Sequence, residues 1–203
     1  MILPKRIKEG SFKLDKSNKK LSSPSSIIKT LVVLGSGGHT GEMMDVIQTL
    51  DPKRYKLEFV LADTDSTSEK FVRNLLKDKT DFEPLSFHYI PRSREVHQSY
   101  FTSIFTTLKA LFYTTVITNV NINPDLIIVN GPGTCIPVCL SAYLTRFLGI
   151  KHVKIIFIES VCRVESLSAS GKIMYLLADR FLVHWPQLQH KYKNVEYHGR
   201  MCY

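Results

Sequence analysis

The sequence predicts an α/β fold, a doubly wound parallel sheet of the Rossmann-like kind. Three observations predict it. Apolar runs such as "DLIIVN" and "VKIIFIE" are continuous rather than alternating, as suits strands covered on both faces. Strand and helix patterns alternate from Lys29 to the C-terminus, the order that builds βαβ units. The first apolar run ends in a glycine cluster that opens a helix, "LVVLGSGGHTGE", and such a turn lies at the ligand edge of these sheets. With 203 residues, 44% of them hydrophobic and 22% charged, one well-buried domain accounts for the chain.

Residues 1–29 read as a basic, disordered tail. Eight Lys and Arg face only Glu9 and Asp15 there, so the tail holds six of the nine net positive charges. The segment is Ser-rich, interrupted by Pro and short of apolar surface to bury. An anionic membrane surface attracts such a tail at roughly 1 kcal/mol per basic residue; a solvated leader is the plainer alternative. Phe12 is the single aromatic among the charges, too few for base stacking, which speaks against nucleic acid.

The domain proper is expected over 30–203. Its strands are predicted at 30–35, 56–62, 87–90, 125–130, 153–158 and 180–184. Helices are predicted at 41–50, after the first glycine turn, and at 67–77 and 99–119. Two more follow at 135–148, with Thr134 as a candidate N-cap, and at 169–178. In 99–119 the residues Phe101, Ile104, Phe105, Leu108, Leu111 and Phe112 share one helical face, beside six threonines and Lys109. That composition makes a poor membrane span. It leaves a helix covering the sheet or one lying in a lipid interface. Four cysteines form no CxxC pair, so neither a zinc site nor a disulfide framework is expected, and a reducing compartment follows. No acidic cluster looks like a metal site.

Four loops follow strand ends. Gly35, Ser36, Gly37 and Gly38 give a tight turn leading into a helix N-terminus, where a phosphate or pyrophosphate fits. The Walker A pattern is absent. The dinucleotide fingerprint fails because Thr40 stands at its third glycine, although Asp63 could imitate the ribose-binding acid. His39 could accept a proton from a sugar hydroxyl, bond a phosphate, or simply cap the helix. "NGPGT" (Asn130, Gly131, Gly133, Thr134) forms a second small-residue turn. Glu159 sits at the end of the fifth strand with Arg163 nearby. "IPRSREVHQSY" brings Arg92, Arg94, Glu95 and His97 together, and its guanidiniums suit a pyrophosphate. The set points to a phosphorylated, hydroxyl-rich ligand.

Taken together, "GSGGHTGE", "ADTD", "IPRSREVHQSY", "NGPGTC", "ESVCRVESLSASGKI" and "HWPQLQHKY" resemble the membrane-recruiting subunit of the two-subunit UDP-N-acetylglucosamine transferase of dolichol-linked oligosaccharide synthesis. The glycine–histidine loop is more distantly similar to that of the bacterial glycosyltransferase that makes the lipid-linked peptidoglycan precursor. The resemblance implies the N-terminal, acceptor-binding half of a two-Rossmann-domain inverting glycosyltransferase. A separate catalytic partner would bind the donor, UDP-N-acetylglucosamine, and this chain alone would be inactive. It further implies that Gly35 to Thr40 face the acceptor's pyrophosphate, and that Asn130 to Thr134 and Glu159 line its sugar pocket. His39 or Glu159 would be the base. The tail "YHGRMCY", with Tyr197, Gly199, Arg200, Met201 and Tyr203, would dock on the partner.

No tightly bound cofactor is implied, and whether a divalent cation assists is open. The acceptor would be dolichol-pyrophosphate-N-acetylglucosamine, met at the cytosolic face of the endoplasmic reticulum membrane. Members of the family usually begin with a membrane-spanning helix, and residues 1–29 hold none, so either the basic tail and the 99–119 helix anchor the chain peripherally or the sequence lacks its anchor. Two rival readings stand beside this one: a non-catalytic membrane scaffold and an NAD(P)-binding oxidoreductase.

Overall fold

The computed structural model describes residues 27–77, 82, 84–92, 108, 110–131 and 133–202. Among the described residues seven strands form one all-parallel sheet: β1 (Ile28–Val33), β2 (Tyr55–Ala62), β3 (Ser86–Ile90), β4 (Leu126–Asn130), β5 (Lys154–Ile158), β6 (Arg180–Val183) and β7 (Glu196–Tyr197). Their order is β3-β2-β1-β4-β5-β6-β7. The chain steps outward from β1 to β3, then crosses back to place β4 against the other side of β1. That reversal is the switch point at which open α/β sheets bind ligands.

The helices among the described residues include α1 (Gly38–Ile47), α2 (Ser68–Leu76), α3 (Cys135–Phe147), α4 (Ala169–Leu177) and α5 (Pro186–Lys191). Adjacent strand residues serve opposite faces. Val32 and Leu34 pack with Met43, Met44 and Ile47 of α1 and with Val72 of α2. Leu31 and Val33 join Val138, Cys139 and Ala142 of α3 and Met174 of α4. Two cores on one sheet explain the unbroken apolar runs. The four cysteines are free.

The six predicted strands fall within two residues of their expected positions, and two boundaries differ instructively. Residues 28 and 29 belong to β1 rather than to the tail, because the Ile28 N–H donates to the Arg54 carbonyl at 2.8 Å and the Lys29 N–H to Asp125 at 3.1 Å. Helix α1 starts three residues earlier than expected, at Gly38, because Gly37 turns the chain at φ 66°. The two-residue β7 and the short α5 were not expected at all.

The 99–119 helix is described from residue 110, with Leu108. Residues 110–116 are α-helical and run into a π-helical turn, Ile117–Ile122. The Thr114, Thr115 and Thr118 hydroxyls donate to carbonyls four residues back, at 2.6–2.7 Å, so each satisfies its own polar group inside the helix. Ala110, Thr114, Thr118 and Ile122 face inward, whereas Leu108 is 56% and Phe112 71% exposed. The small residues pack inward, whereas Leu108 and Phe112 of the apolar row face out and Leu111 is partly buried. Among the described residues no helix is long and apolar enough to cross a membrane.

Candidate functional site

The β1–α1 turn and the β4–α3 turn meet at the switch point. Helix α1 has no acidic residue in its first turn, so no carboxylate of that turn offsets the positive end of its dipole. The turn is braced from beneath. The Thr40 hydroxyl donates to the Gly35 carbonyl and lies 2.7 Å from Ser68 Oγ, which donates to Asp65 at 2.6 Å. Asp65 also accepts the Thr67 and Ser68 N–H groups at 3.2 and 3.0 Å, capping α2. Burial alone would raise the Asp65 pKa, but these hydrogen bonds hold the carboxyl below its ordinary range. Thr40 is 2% exposed. The expectation that it faces a ligand is corrected, since its hydroxyl holds the loop from inside.

His39 is the second residue of α1, and its ring lies on Gly131. A Cβ at Gly131 would come within 2.5 Å of His39 Cε1, and Gly131 has φ 42°, so the second turn needs glycine for both room and conformation. Asn130, itself 1% exposed, donates from Nδ2 to the His39 carbonyl at 2.8 Å. His39 Nδ1 is buried without a hydrogen-bond partner and lies 3.7 Å from Glu42 Oε2. Glu42 accepts from Ser160 Oγ at 2.8 Å and from Asn130 Nδ2 at 3.5 Å. Burial would raise the Glu42 pKa, yet His39 and Ser160 beside it, with the field of His184, hold it below the ordinary value. Sequence reasoning missed Glu42; its spacing of three residues from His39 on a helix was the available signal.

Glu159 is fully buried. It accepts the Ser160 N–H at 3.1 Å and, from Ser168, the N–H at 2.9 Å and the hydroxyl at 3.2 Å. Ser168 Oγ caps α4 by accepting the Gly171 N–H at 2.9 Å. A Cβ at Gly171 would stand 2.2 Å from Glu159 Oε2, so helix and carboxylate are in direct contact. Ser170 continues the brace by donating to the Gly131 carbonyl. The expectation of Glu159 lining a pocket is corrected: both its oxygens are turned inward to α4 and to the loop that follows β5.

A cleft of about 210 Å³ opens between the turns, lined among others by Gly35, Ser36, His39, Asp65, Arg92, Gly133 and Thr134. Arg92 is exposed at its rim. Arg94, Glu95, His97 and Tyr203 lie outside the described residues, and Asp63 and Arg163 are exposed. A larger groove, about 380 Å³, runs along α1 past Phe71, Leu75, Arg200 and Cys202. The C-terminal tail bounds it. After β7 the chain folds back: the Met201 N–H donates to His184 Nδ1 at 3.3 Å, Arg200 stacks on Trp185 at 5.1 Å, and Cys202 Sγ donates to the Glu42 carbonyl at 3.2 Å. Among the described residues no group of three or more His, Cys, Asp or Glu could hold a metal ion.

A family model described as "Oligosaccharide biosynthesis protein Alg14 like" matches residues 30–201. The human protein named UDP-N-acetylglucosamine transferase subunit ALG14 is 43% identical over 185 residues, covering 88% of this chain and 85% of its own. Its Schizosaccharomyces pombe counterpart is 44% identical over 171 residues, covering 83% and 81%. Among solved structures, Acinetobacter baumannii MurG superposes with a TM-score of 0.57 at 17% identity, over 79% of this chain and 42% of that one. UDP-N-acetylglucosamine 2-epimerase from Rickettsia bellii gives 0.51 at 14% identity, over 87% and 46%. The chain thus spans less than half the length of both structures, and at these identities the likeness concerns the fold alone.

Proposed function

Because the chain belongs to the Alg14-like family of oligosaccharide biosynthesis proteins, we propose that it is the acceptor-binding half of a heteromeric UDP-N-acetylglucosamine transferase. The acceptor is dolichol-pyrophosphate-N-acetylglucosamine, and the product carries a second, β-1,4-linked N-acetylglucosamine. The observation that carries this reading is the cleft at the switch point, where an open helix N-terminus, an exposed arginine and a histidine converge. The α1 N-terminus and Arg92 hold the pyrophosphate. The partner subunit brings UDP-N-acetylglucosamine. His39 takes the proton from the acceptor 4-hydroxyl as that oxygen attacks C1 of the donor sugar and UDP departs with inversion. Glu159 acts as a brace behind the second turn, which leaves His39 as the base.

The partner docks along the C-terminal tail and the adjoining groove, where Phe71 and Leu75 are 46% and 36% exposed. The exposed Leu108, Phe112 and Val116 row rests on the cytosolic face of the endoplasmic reticulum membrane, bringing the cleft to a lipid-linked substrate. No tightly bound cofactor is needed by this half. The test is sugar transfer from UDP-N-acetylglucosamine to a synthetic polyprenyl-pyrophosphoryl-N-acetylglucosamine by this chain, by the catalytic subunit, and by the two mixed. Activity only in the mixture is expected. Full activity of the catalytic subunit alone would reduce this chain to a scaffold.

A further inference from the structure

We propose that Glu42 is a positioning residue for His39: its carboxylate selects the neutral tautomer with the proton on Nδ1 and leaves Nε2 as the proton acceptor in the cleft. This rests on the reading of His39 as the base and extends it to a residue one helical turn away.

The geometry leaves the ring one closed edge and one open edge. Nδ1 is buried and faces no hydrogen-bond partner, with Glu42 Oε2 at 3.7 Å, while the side chain as a whole is 36% exposed. A lone pair on Nδ1 would oppose a carboxylate oxygen, whereas an N–H there points a donor at it. Contacts of this length in an empty site commonly shorten once substrate excludes water. The carboxylate is itself held in place. Ser160 Oγ donates to Oε1 at 2.8 Å, and Asn130 Nδ2 reaches Oε2 at 3.5 Å while holding the His39 carbonyl at 2.8 Å. One amide therefore references both the histidine backbone and the carboxylate, and Gly131 fixes the ring from its other face.

In the transfer step the acceptor O–H bond breaks as the new O–C1 bond forms and the C1–O bond to UDP breaks. The proton passes to Nε2, and the resulting imidazolium faces the Glu42 carboxylate. A base oriented by a third group on its far nitrogen is the arrangement that makes such proton transfers efficient.

The tautomer can be read without any substrate, so its test is independent of the transferase assay. In the ¹⁵N-labelled full chain, imidazole nitrogen shifts at about pH 9, where histidines are neutral, report which nitrogen carries the proton. A His39→Gln spectrum assigns the signal. The expected result is Nδ1–H in the wild type, moving toward Nε2–H in Glu42→Gln, whose carboxamide still accepts from Ser160. In the reconstituted transferase the same variant should lower kcat about tenfold or more, with acceptor KM nearly unchanged. It should cause no further loss in a His39→Ala background. Nε2–H in the wild type would overturn the proposal even if Glu42→Gln does not fold, and so would a folded Glu42→Gln whose tautomer is unchanged. An inactive mixture with Nδ1–H in the wild type would count against the transferase reading instead.

Discussion

Replacing Gly131 by alanine probes the contact on which the site is built. The added Cβ would lie 2.5 Å from His39 Cε1, 3.0 Å from Nδ1 and 3.2 Å from Nε2. Ordinary carbon contacts begin near 3.5 Å, so the ring or the turn must move by roughly 1 Å. Gly131 also has φ 42°, a left-handed conformation that costs a non-glycine residue about 1–2 kcal/mol. A domain of this size loses roughly 2–4 °C of Tm per kcal/mol, so a fall of about 2–8 °C is expected. A reacting group displaced by about 1 Å costs on the order of 10²-fold in rate. Thermal melting of the chain and kcat of the reconstituted complex measure the two effects separately. Gly41→Ala is the counterpart: it lies inside α1 with nothing within 4 Å of its Cβ, and helix propensity should stabilise it by about 0.5–1 kcal/mol. Wild-type kcat in a folded Gly131→Ala complex would refute the reasoning, because transfer would then be indifferent to where the ring sits.

Three further outcomes follow from the same geometry. Glu159→Ala strands the buried Ser160 and Ser168 N–H groups, at about 1–3 kcal/mol for each unsatisfied donor. Its melting temperature should fall well below that of His39→Ala, and a wild-type melting curve would end its role as a brace. Arg92→Ala should raise the acceptor KM about tenfold or more, as loss of a charge-assisted hydrogen bond does, with kcat little changed; an unaltered KM in an acceptor titration would remove Arg92 from the site. Burial lowers the His184 pKa, with Arg200 adding to the effect and Glu42 opposing it. The unfolded chain therefore binds the proton more readily below about pH 6.5. Stability should be level above that pH and be lost as pH falls through the folded value, since a protonated Nδ1 cannot accept the Met201 N–H. Urea midpoints between pH 5 and 7.5 should show that slope, flattened in His184→Gln; equal slopes would contradict it.

The strands were legible because "LVVL", "LIIV" and "KIIFI" are apolar on both faces, and only a covered parallel sheet tolerates that. The same property hid the direction of Glu159. A strand apolar on both sides shows no alternation, so nothing in the sequence said whether the residue after β5 turns to the cleft or the core. The start of α1 was misplaced because Gly38, His39 and Thr40 are weak helix formers; the left-handed Gly37 and the Thr40–Gly35 contact set the start instead. The inward direction of the Thr40 hydroxyl is not legible in the sequence, since its partner Ser68 is 28 residues away; the family resemblance alone placed Thr40 at the pyrophosphate. The hydrogen bonds of Glu42 were hidden because its partners, Ser160 and Asn130, lie 118 and 88 residues away. The 99–119 pattern left sheet cover and lipid contact open because its large apolar side chains mark one face, while the inward packing rests on Ala110, Thr114 and Thr118, whose small size carries no such signal.

The most direct measurement is kcat of the proposed transferase, reconstituted from this chain with His39→Ala and the catalytic subunit, at saturating donor and acceptor, with complex formation checked on the same sample. The account predicts a fall of roughly 10²–10⁴-fold, the range for a lost general base, in a complex that still assembles. A kcat equal to the wild type would contradict it and leave this chain the part of a scaffold.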